Sequence, residues 1–178
     1  MAIKKNWSGV EGVLTDGNLV VMLIPAAEVT DIKEITPTLL NGATALDVTY
    51  DMVPDGFQHT PGTEEVTLNR LTLATELKRE GKQTDTLTLQ YAWNPEVKAP
   101  ETTQLDTALV KGGKYYVVAR AAVDHDEAFS AGQKVKIIPA RCGRKQDDAP
   151  VTGSEFTRTV SMMPFGTVID EHVLAEAS

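Results

Sequence analysis

Hydrophobic residues in this chain recur at every second position, a period that dictates strands rather than helices. In residues 44–52, Leu46, Val48, Tyr50 and Met52 share one face of an extended backbone, and Asp47, Thr49 and Asp51 share the other. Residues 84–93 repeat the pattern: Leu87, Leu89, Tyr91 and Trp93 alternate with Thr86, Thr88, Gln90 and Ala92, and Asn94-Pro95 ends the run. Residues 66–77 set Leu71, Leu73, Thr75 and Leu77 against Arg70, Thr72, Ala74 and Glu76. Residues 18–24 are nearly all apolar, as in a strand buried on both faces. With residues 114–123, 133–139, 156–163 and 166–173, the expected strands number about eight, rich in β-branched residues.

Helical signals are few. Leu105, Ala108 and Leu109 would share one face of two turns in residues 102–110, before Gly112-Gly113 ends them. Residues 36–40 suit a single turn, with Pro37 at its first position and Gly42 beyond its end. The expected fold is mostly β, a sandwich or barrel-like arrangement with one short flanking α-helix. Neither a linker nor a fixed-period repeat divides the 178 residues, so residues 1–178 read as a single domain. Residues 54–63 read as a long, turn-rich loop with Phe57 at its centre, longer than an ordinary hairpin connection. Residues 144–154, with Asp147, Asp148 and Pro150, read as a second, polar loop.

Seventeen basic residues against 25 acidic ones give a net charge of −8. A firm grip on duplex DNA needs clustered Lys and Arg, whereas here the longest basic run is Lys4-Lys5. DNA binding is therefore not expected, although passage of DNA without retention is compatible with this charge. Cys142 is the one cysteine, so no intrachain disulfide forms; that suits a reducing compartment or a particle assembled inside a cell, with a structural rather than reactive thiol. The N-terminus, MAIKKNWSGVEG, has no apolar stretch behind its lysines, so no signal peptide is expected. No run approaches the ~20 apolar residues of a membrane helix, so no membrane anchor is expected either.

Catalytic candidates are thin. Asp124-His125-Asp126-Glu127 crowds metal-ligating groups together. Neighbours on a strand point to opposite faces, and Ser130-Ala131-Gly132 follows, so the run reads as a solvated turn and no metal is assigned. His59, His125 and His172 are the three histidines, and all are expected in or near loops or the C-terminal tail. The nucleophile-elbow, phosphate-loop, dinucleotide and HExxH zinc-protease motifs are missing. Glu64-Glu65 and Asp147-Asp148 are adjacent pairs, with no spacing that sets them across a glycosidic bond. The reading is a protein with no catalytic residue and no cofactor.

Taken in order, the elements resemble the major tail protein of long-tailed bacteriophages, the subunit of the tail tube. The resemblance runs from about Leu19 to Ala175. It includes Ile35-Thr36-Pro37-Thr38-Leu39-Leu40-Asn41-Gly42 leading into the strand of residues 45–52, and then Leu68-Asn69-Arg70-Leu71-Thr72 beyond the long loop. Thr84-Asp85-Thr86-Leu87-Thr88-Leu89-Gln90-Tyr91 resembles the family's next strand, and the helix before Gly112-Gly113 leads into Tyr115-Tyr116-Val117-Val118. Ser161-Met162-Met163-Pro164-Phe165-Gly166 is similar to its closing strands.

The resemblance implies a β-sandwich of the tail-tube fold with a flanking helix. Six subunits would make a ring, each adding strands to a continuous barrel around a lumen, and rings would stack into the tube through which DNA passes. The implied partners are further copies of the chain, tail tip and tail terminator proteins, a tape measure protein in the lumen during assembly, and DNA in transit. The implied location is the virion tail, assembled in the host cytoplasm. By analogy, residues 51–65 would reach a neighbouring ring, with Phe57 as an apolar anchor. Trp7, Pro54, Phe57, His59, Pro61, Val168 and Val173 are the contact candidates, with residues 1–17 and 168–178 as arms between subunits. Arg70, Thr72, Glu76, Thr84, Thr86, Thr88 and Gln90 form polar series suited to a lumen wall, and an acidic lumen would repel phosphates.

Three other readings fit less well. A tail-completion, neck or capsid-decoration protein would share this architecture and differ in copy number. A β-sandwich binding module for a carbohydrate or protein would present an exposed aromatic cluster, and Trp7 with Phe57 makes a poor one. A hydrolase would build a pocket around His125 or Cys142.

Overall fold

The computed structural model describes residues 12–68, 77–96 and 104–175. Its strands, in chain order, are β1 (Leu19–Pro25), β2 (Leu46–Asp47), β3 (Met52–Thr60), β4 (Thr63–Leu68), β5 (Leu77–Gln83), β6 (Thr86–Ala92), β7 (Lys114–Ala121), β8 (Lys134–Asp147), β9 (Thr157–Pro164) and β10 (Ile169–Val173). Two short helices, α1 (Pro37–Leu40) and α2 (Gln104–Ala108), complete the set with three 3-10 turns.

The main sheet has the order β2-β1-β7-β8-β9-β6-β3, antiparallel throughout, and β10 also pairs with β8. The 14-residue β8 gives this sheet its shape. Its first half pairs with β7 and β10, its second half with β9, and the register shifts between Cys142 and Lys145. Gly143 sits in that shift, where an added Cβ would meet the Ser161 carbonyl, so the close approach needs glycine. The sheet thereby folds over on itself and remains open, as a sandwich rather than a closed barrel.

Two cores follow from this curl. The inner one joins both halves of the sheet: Val21, Leu23, Val117, Ile138 and Ala140 meet Leu87, Leu89, Tyr91, Val160 and Met162. Each fully buried aliphatic side chain contributes roughly 2 kcal/mol by leaving water. The second core lies on the opposite face of β1, β7 and the first half of β8, where Val20, Met22, Ile24, Val118, Val135 and Ile137 are covered by Val29, Ile35, Leu40, Phe129 and Leu174. The apolar run of residues 18–24 is thus buried on both faces, as its composition predicts.

The helices form where their local chemistry places them. Thr36 caps α1 through its side chain, and Pro37 occupies the first turn. In α2, Leu105 is buried, and Ala108 and Leu109 pack on the inner core, the expected face. The Asp51 carboxylate accepts the Leu105 N–H at 2.6 Å and so caps α2 from a distant segment. Burial outweighs that bond and raises the Asp51 carboxyl above its ordinary value.

Four sequence expectations are corrected. Residues 44–52 are not one strand: Leu46–Asp47 pairs with β1, a 3-10 turn at Thr49–Asp51 breaks the extension, and Met52 already belongs to β3, opposite Tyr91. The Asp47 carboxylate accepts both the Thr49 N–H and its hydroxyl, a local bond that favours the turn. Residues 54–63 are not a long loop; most of them lie in β3, at the end of the sheet order. Pro54 is tolerated there because β3 is an edge strand and the register shifts between Met52 and Phe57. Residues 66–77 are not one strand, because Leu68 and Leu77 face each other on antiparallel β4 and β5. Residues 144–147 are not loop but the end of β8.

Candidate functional site: a neutral sheet face and a projecting hairpin

The outer face of β3, β6 and β9 carries side chains of one chemical kind. Register alternation sends Leu87, Leu89 and Tyr91 inward, and it sends Thr86, Thr88 and Gln90 outward. Thr88 stands between Gln58 of β3 and Ser161 of β9, Thr86 opposite Thr60, and Gln90 opposite Thr159. The result is a contiguous wall of hydroxyls and amides: Gln58, Thr60, Thr86, Thr88, Gln90, Thr157, Thr159 and Ser161. At one margin the Asp148 carboxylate accepts bonds from Gln90, Thr157 and Thr159 at 2.8–3.0 Å. Burial pushes Asp148 up, but these three donors outweigh it and hold the carboxyl below its ordinary value.

Of the lumen candidates, Thr84 is exposed beside this wall, and Thr86, Thr88 and Gln90 lie on it. Arg70, Thr72 and Glu76 lie outside the described residues. The sequence reading missed the contributions of β3 and β9, although Thr157, Thr159 and Ser161 alternate with Val160 and Met162 in plain view.

The hairpin β4–β5 is a separate two-stranded sheet. Most of its residues are exposed, and Val66 and Leu77 are both 47% exposed. Pairing places Val66 opposite Arg79 and Leu68 opposite Leu77 on one face, with Thr67 opposite Lys78 on the other. Lys78 also bridges to Glu65. Among the described residues this arm belongs to neither core cluster.

The contact candidates fall in different places. Pro54 and Pro61 are exposed; Phe57 is half-buried against the inner core, opposite Leu89. The His59 side chain points inward, 4% exposed, with Lys136 Nζ 3.3 Å from Nδ1 and Asp85 3.5 Å from Nε2. Val168 packs on the inner core, Val173 is exposed on β10, and Trp7 lies outside the described residues. His59 lies in β3 rather than in a loop, His172 lies on β10 in the C-terminal segment, and His125 is in the turn after β7.

Polar clusters elsewhere serve the fold. Asp106 of α2 accepts from the Tyr91 hydroxyl at 2.7 Å and from Lys145 and Arg158 at 3.1 Å. Burial alone would raise this carboxyl, but Tyr91, Lys145 and Arg158 together hold it below its ordinary value. The Tyr91 phenol is driven well above its usual range by burial and by Asp106. Arg158 also stacks on Trp93, 3.6 Å from the ring centroid.

Arg120, fully buried at the end of β7, donates to the carbonyls of Asp124 and Glu127 and to the Gln133 side chain. It thereby shapes the turn that holds Asp124, His125 and Asp126, whose ligand-type atoms lie within 4.8 Å of one another. His125 Nε2 is engaged by the Tyr50 hydroxyl at 2.6 Å. Cys142 is buried, and burial raises its thiol, which disfavours the nucleophilic thiolate. A lone Arg inside the apolar run of residues 115–123 was the signal for this buried cation. Nothing near Asp106 in the sequence announces its partners, which are 15 to 52 residues away.

A wall of hydroxyls and amides with the Asp148 carboxylate at its margin, and an exposed two-stranded arm, fit a structural part, and comparison with known proteins agrees. The phage tail tube protein family matches residues 9–177. The chain belongs to that family. Solved structures similar to this chain include a chain of the anti-feeding prophage baseplate, seen by cryo-electron microscopy with six-fold symmetrisation. It has a TM-score of 0.53 at 12% identity, covering 94% of this chain and 97% of that one. A chain from the sheath/tube terminator of an extracellular contractile injection system, PVC, in its extended state, gives a TM-score of 0.52 at 12% identity, covering 90% and 98%. At that identity the likeness is one of fold. No curated protein sequence matches this chain.

Proposed function

We propose that this protein is the repeating subunit of a phage tail tube. It assembles into stacked rings, six subunits to a ring, and presents the outer face of β3, β6 and β9 to the lumen. The observation that carries the reading is the uncharged hydroxyl and amide wall on a well-packed sheet of a chain with net charge −8. None of the eight wall side chains is a cation that would hold polyanionic DNA, and water-solvated Thr and Gln side chains let it slide. On this reading the eight wall side chains are neutral, and the Asp148 carboxylate stands at one margin. The exposed edge strand β3 is closed by pairing between subunits, which removes an aggregation hazard. The β4–β5 arm reaches a neighbouring subunit and buries Val66, Leu68 and Leu77 there. The partners at the tube ends are tail tip and terminator proteins, with a tape measure protein filling the lumen before DNA.

Negative-stain electron microscopy of concentrated purified protein, alongside its mass by light scattering, tests this reading. Hollow rings or tubes are expected. Solid, non-annular aggregates, or a monomer that stays monomeric even with a tail-tip complex as initiator, would refute it.

A further inference from the structure

The β4–β5 arm continues the β3–β6 pair. β3 passes through Pro61-Gly62 into β4, and β5 passes through Thr84-Asp85 into β6, so these residues form the joint between the arm and the main sheet. Thr60 faces Thr86 on one side of the joint, and Thr63 faces Gln83 on the other, yet the two ladders belong to separate sheets. Within the joint the Thr84 N–H donates to the Gly62 carbonyl at 2.7 Å. An added Cβ at Gly62 would run into the Thr84 carbonyl, so the chains pass this close only with glycine there.

A row of polar side chains closes the inner core at this joint. His59 leaves β3 on the same face as its β6 partner Leu87, and so points into the end of the core. Lys136 leaves β8 on the same face as Ile138 and Ala140 and meets His59 from the opposite layer. Its Nζ stands 3.3 Å from His59 Nδ1 and 3.0 Å from the Asp170 carboxylate of β10. Asp85, in the joint itself, stands 3.5 Å from His59 Nε2, and that buried nitrogen has no hydrogen-bond partner. Lys134 and Glu171, the next charged pair along β8 and β10, bind each other. An ammonium carries donors only, so Lys136 makes Nδ1 the acceptor and leaves the ring proton on Nε2, toward Asp85.

We infer that His59 and Lys136 form a pH-sensitive latch that ties the root of the β4–β5 arm to β8 and β10. Imidazole is the side chain whose charge changes between about pH 5 and pH 8. A second ring proton goes to Nδ1, where it meets the Lys136 ammonium. The two cations then part: His59 is drawn to Asp85 within the β3–β6 pair, and Lys136 is left to Asp170. The tie between layers is present in neutral solution and lost as pH falls. The arm is accordingly held above that change and swings about residues 61–62 and 84–85 below it. The latch belongs to the single chain, so its failure and the failure of the tube reading are separate results.

Nuclear magnetic resonance of the full chain, kept unassembled at low concentration, tests the latch. At about pH 8 the His59 ring nitrogens are expected to show the Nε2–H tautomer. Titration to about pH 5.5 is expected to move the amide signals of His59, Thr60, Gly62, Thr84 and Asp85 together with the His59 ring, at one midpoint. Over the same range the backbone order parameters of the arm fall from about 0.8 toward 0.6. Lys136→Met is expected to leave the arm mobile at both ends of the titration, and His59→Gln, which takes no proton, to remove the step. Thermal melts verify that both variants fold, and the wild-type titration decides the matter should either melt early. An Nδ1–H tautomer overturns the latch. So does a His59 that gains its proton without moving the joint, one that stays neutral throughout, or a folded Lys136→Met chain whose arm is as ordered as the wild type's.

Discussion

Asp106 binds three side chains through one carboxylate. Its carboxylate gathers Tyr91, Lys145 and Arg158 from three strands, and so fixes α2 over the inner core. Because its folded-state value lies below the unfolded one, its contribution is fully present above the unfolded carboxylate value of about 4 and is lost as pH falls through the lower, folded value. Asp106→Asn is expected to cost about 2 kcal/mol at pH 7, since it leaves two cations without their counter-charge. In strongly acidic solution, where the wild-type carboxyl is protonated, the two proteins converge. Urea melts at neutral and acid pH check this, and an equal loss at both would contradict it. The side-chain partnerships that set Asp106 and Arg120 were beyond sequence reading for a simple reason. Periodicity reports which face a residue occupies, not which distant group waits there.

Strands with strict alternation were legible. Within residues 84–93, Thr86–Ala92 fold as β6 with Leu87, Leu89 and Tyr91 buried, and the buried strand at residues 18–24 and the packing face of α2 also stand. Where local chemistry competes with alternation, it wins. Asp47 and Thr49 turn the chain out of the strand read over residues 44–52, and Tyr50 ends 79% exposed instead of packed. Turn-forming residues misled in the other direction, because Pro54, Asp55 and Gly56 mark a bulge inside an edge strand rather than a loop. Asp55 takes a left-handed φ of 61°, and a Cβ on Gly56 would sit 2.7 Å from the Val53 carbonyl and closer still to that of Gln90.

The β4–β5 hairpin has its own signature at this scale. A lone two-stranded sheet is marginal in water, and this one leaves Val66 and Leu77 uncovered. Its amides, in residues 63–68 and 77–83, are expected to exchange with solvent far faster than those of β7 and β8 in the unassembled protein, and to become protected on assembly. Hydrogen exchange followed by mass spectrometry measures both states. Protection in the monomer equal to that of β7 would show the arm to be stable alone and remove its need for a partner.

At the scale of the whole molecule, the folded-over sheet separates two tasks. Its concave side and the helix-covered face of β1, β7 and β8 carry the cores, which leaves the outer face of β3, β6 and β9 free to be polar. Family membership makes the protein a tail component. On the proposed function, the hydroxyl and amide wall is what links this particular chain to passage of a polyanion. A cryo-electron microscopy reconstruction of the assembled protein tests that link most directly. The account predicts a hollow tube with Thr86, Thr88, Gln90, Thr159 and Ser161 facing the lumen. A tube with that face turned to the outside, or buried between subunits, would contradict it.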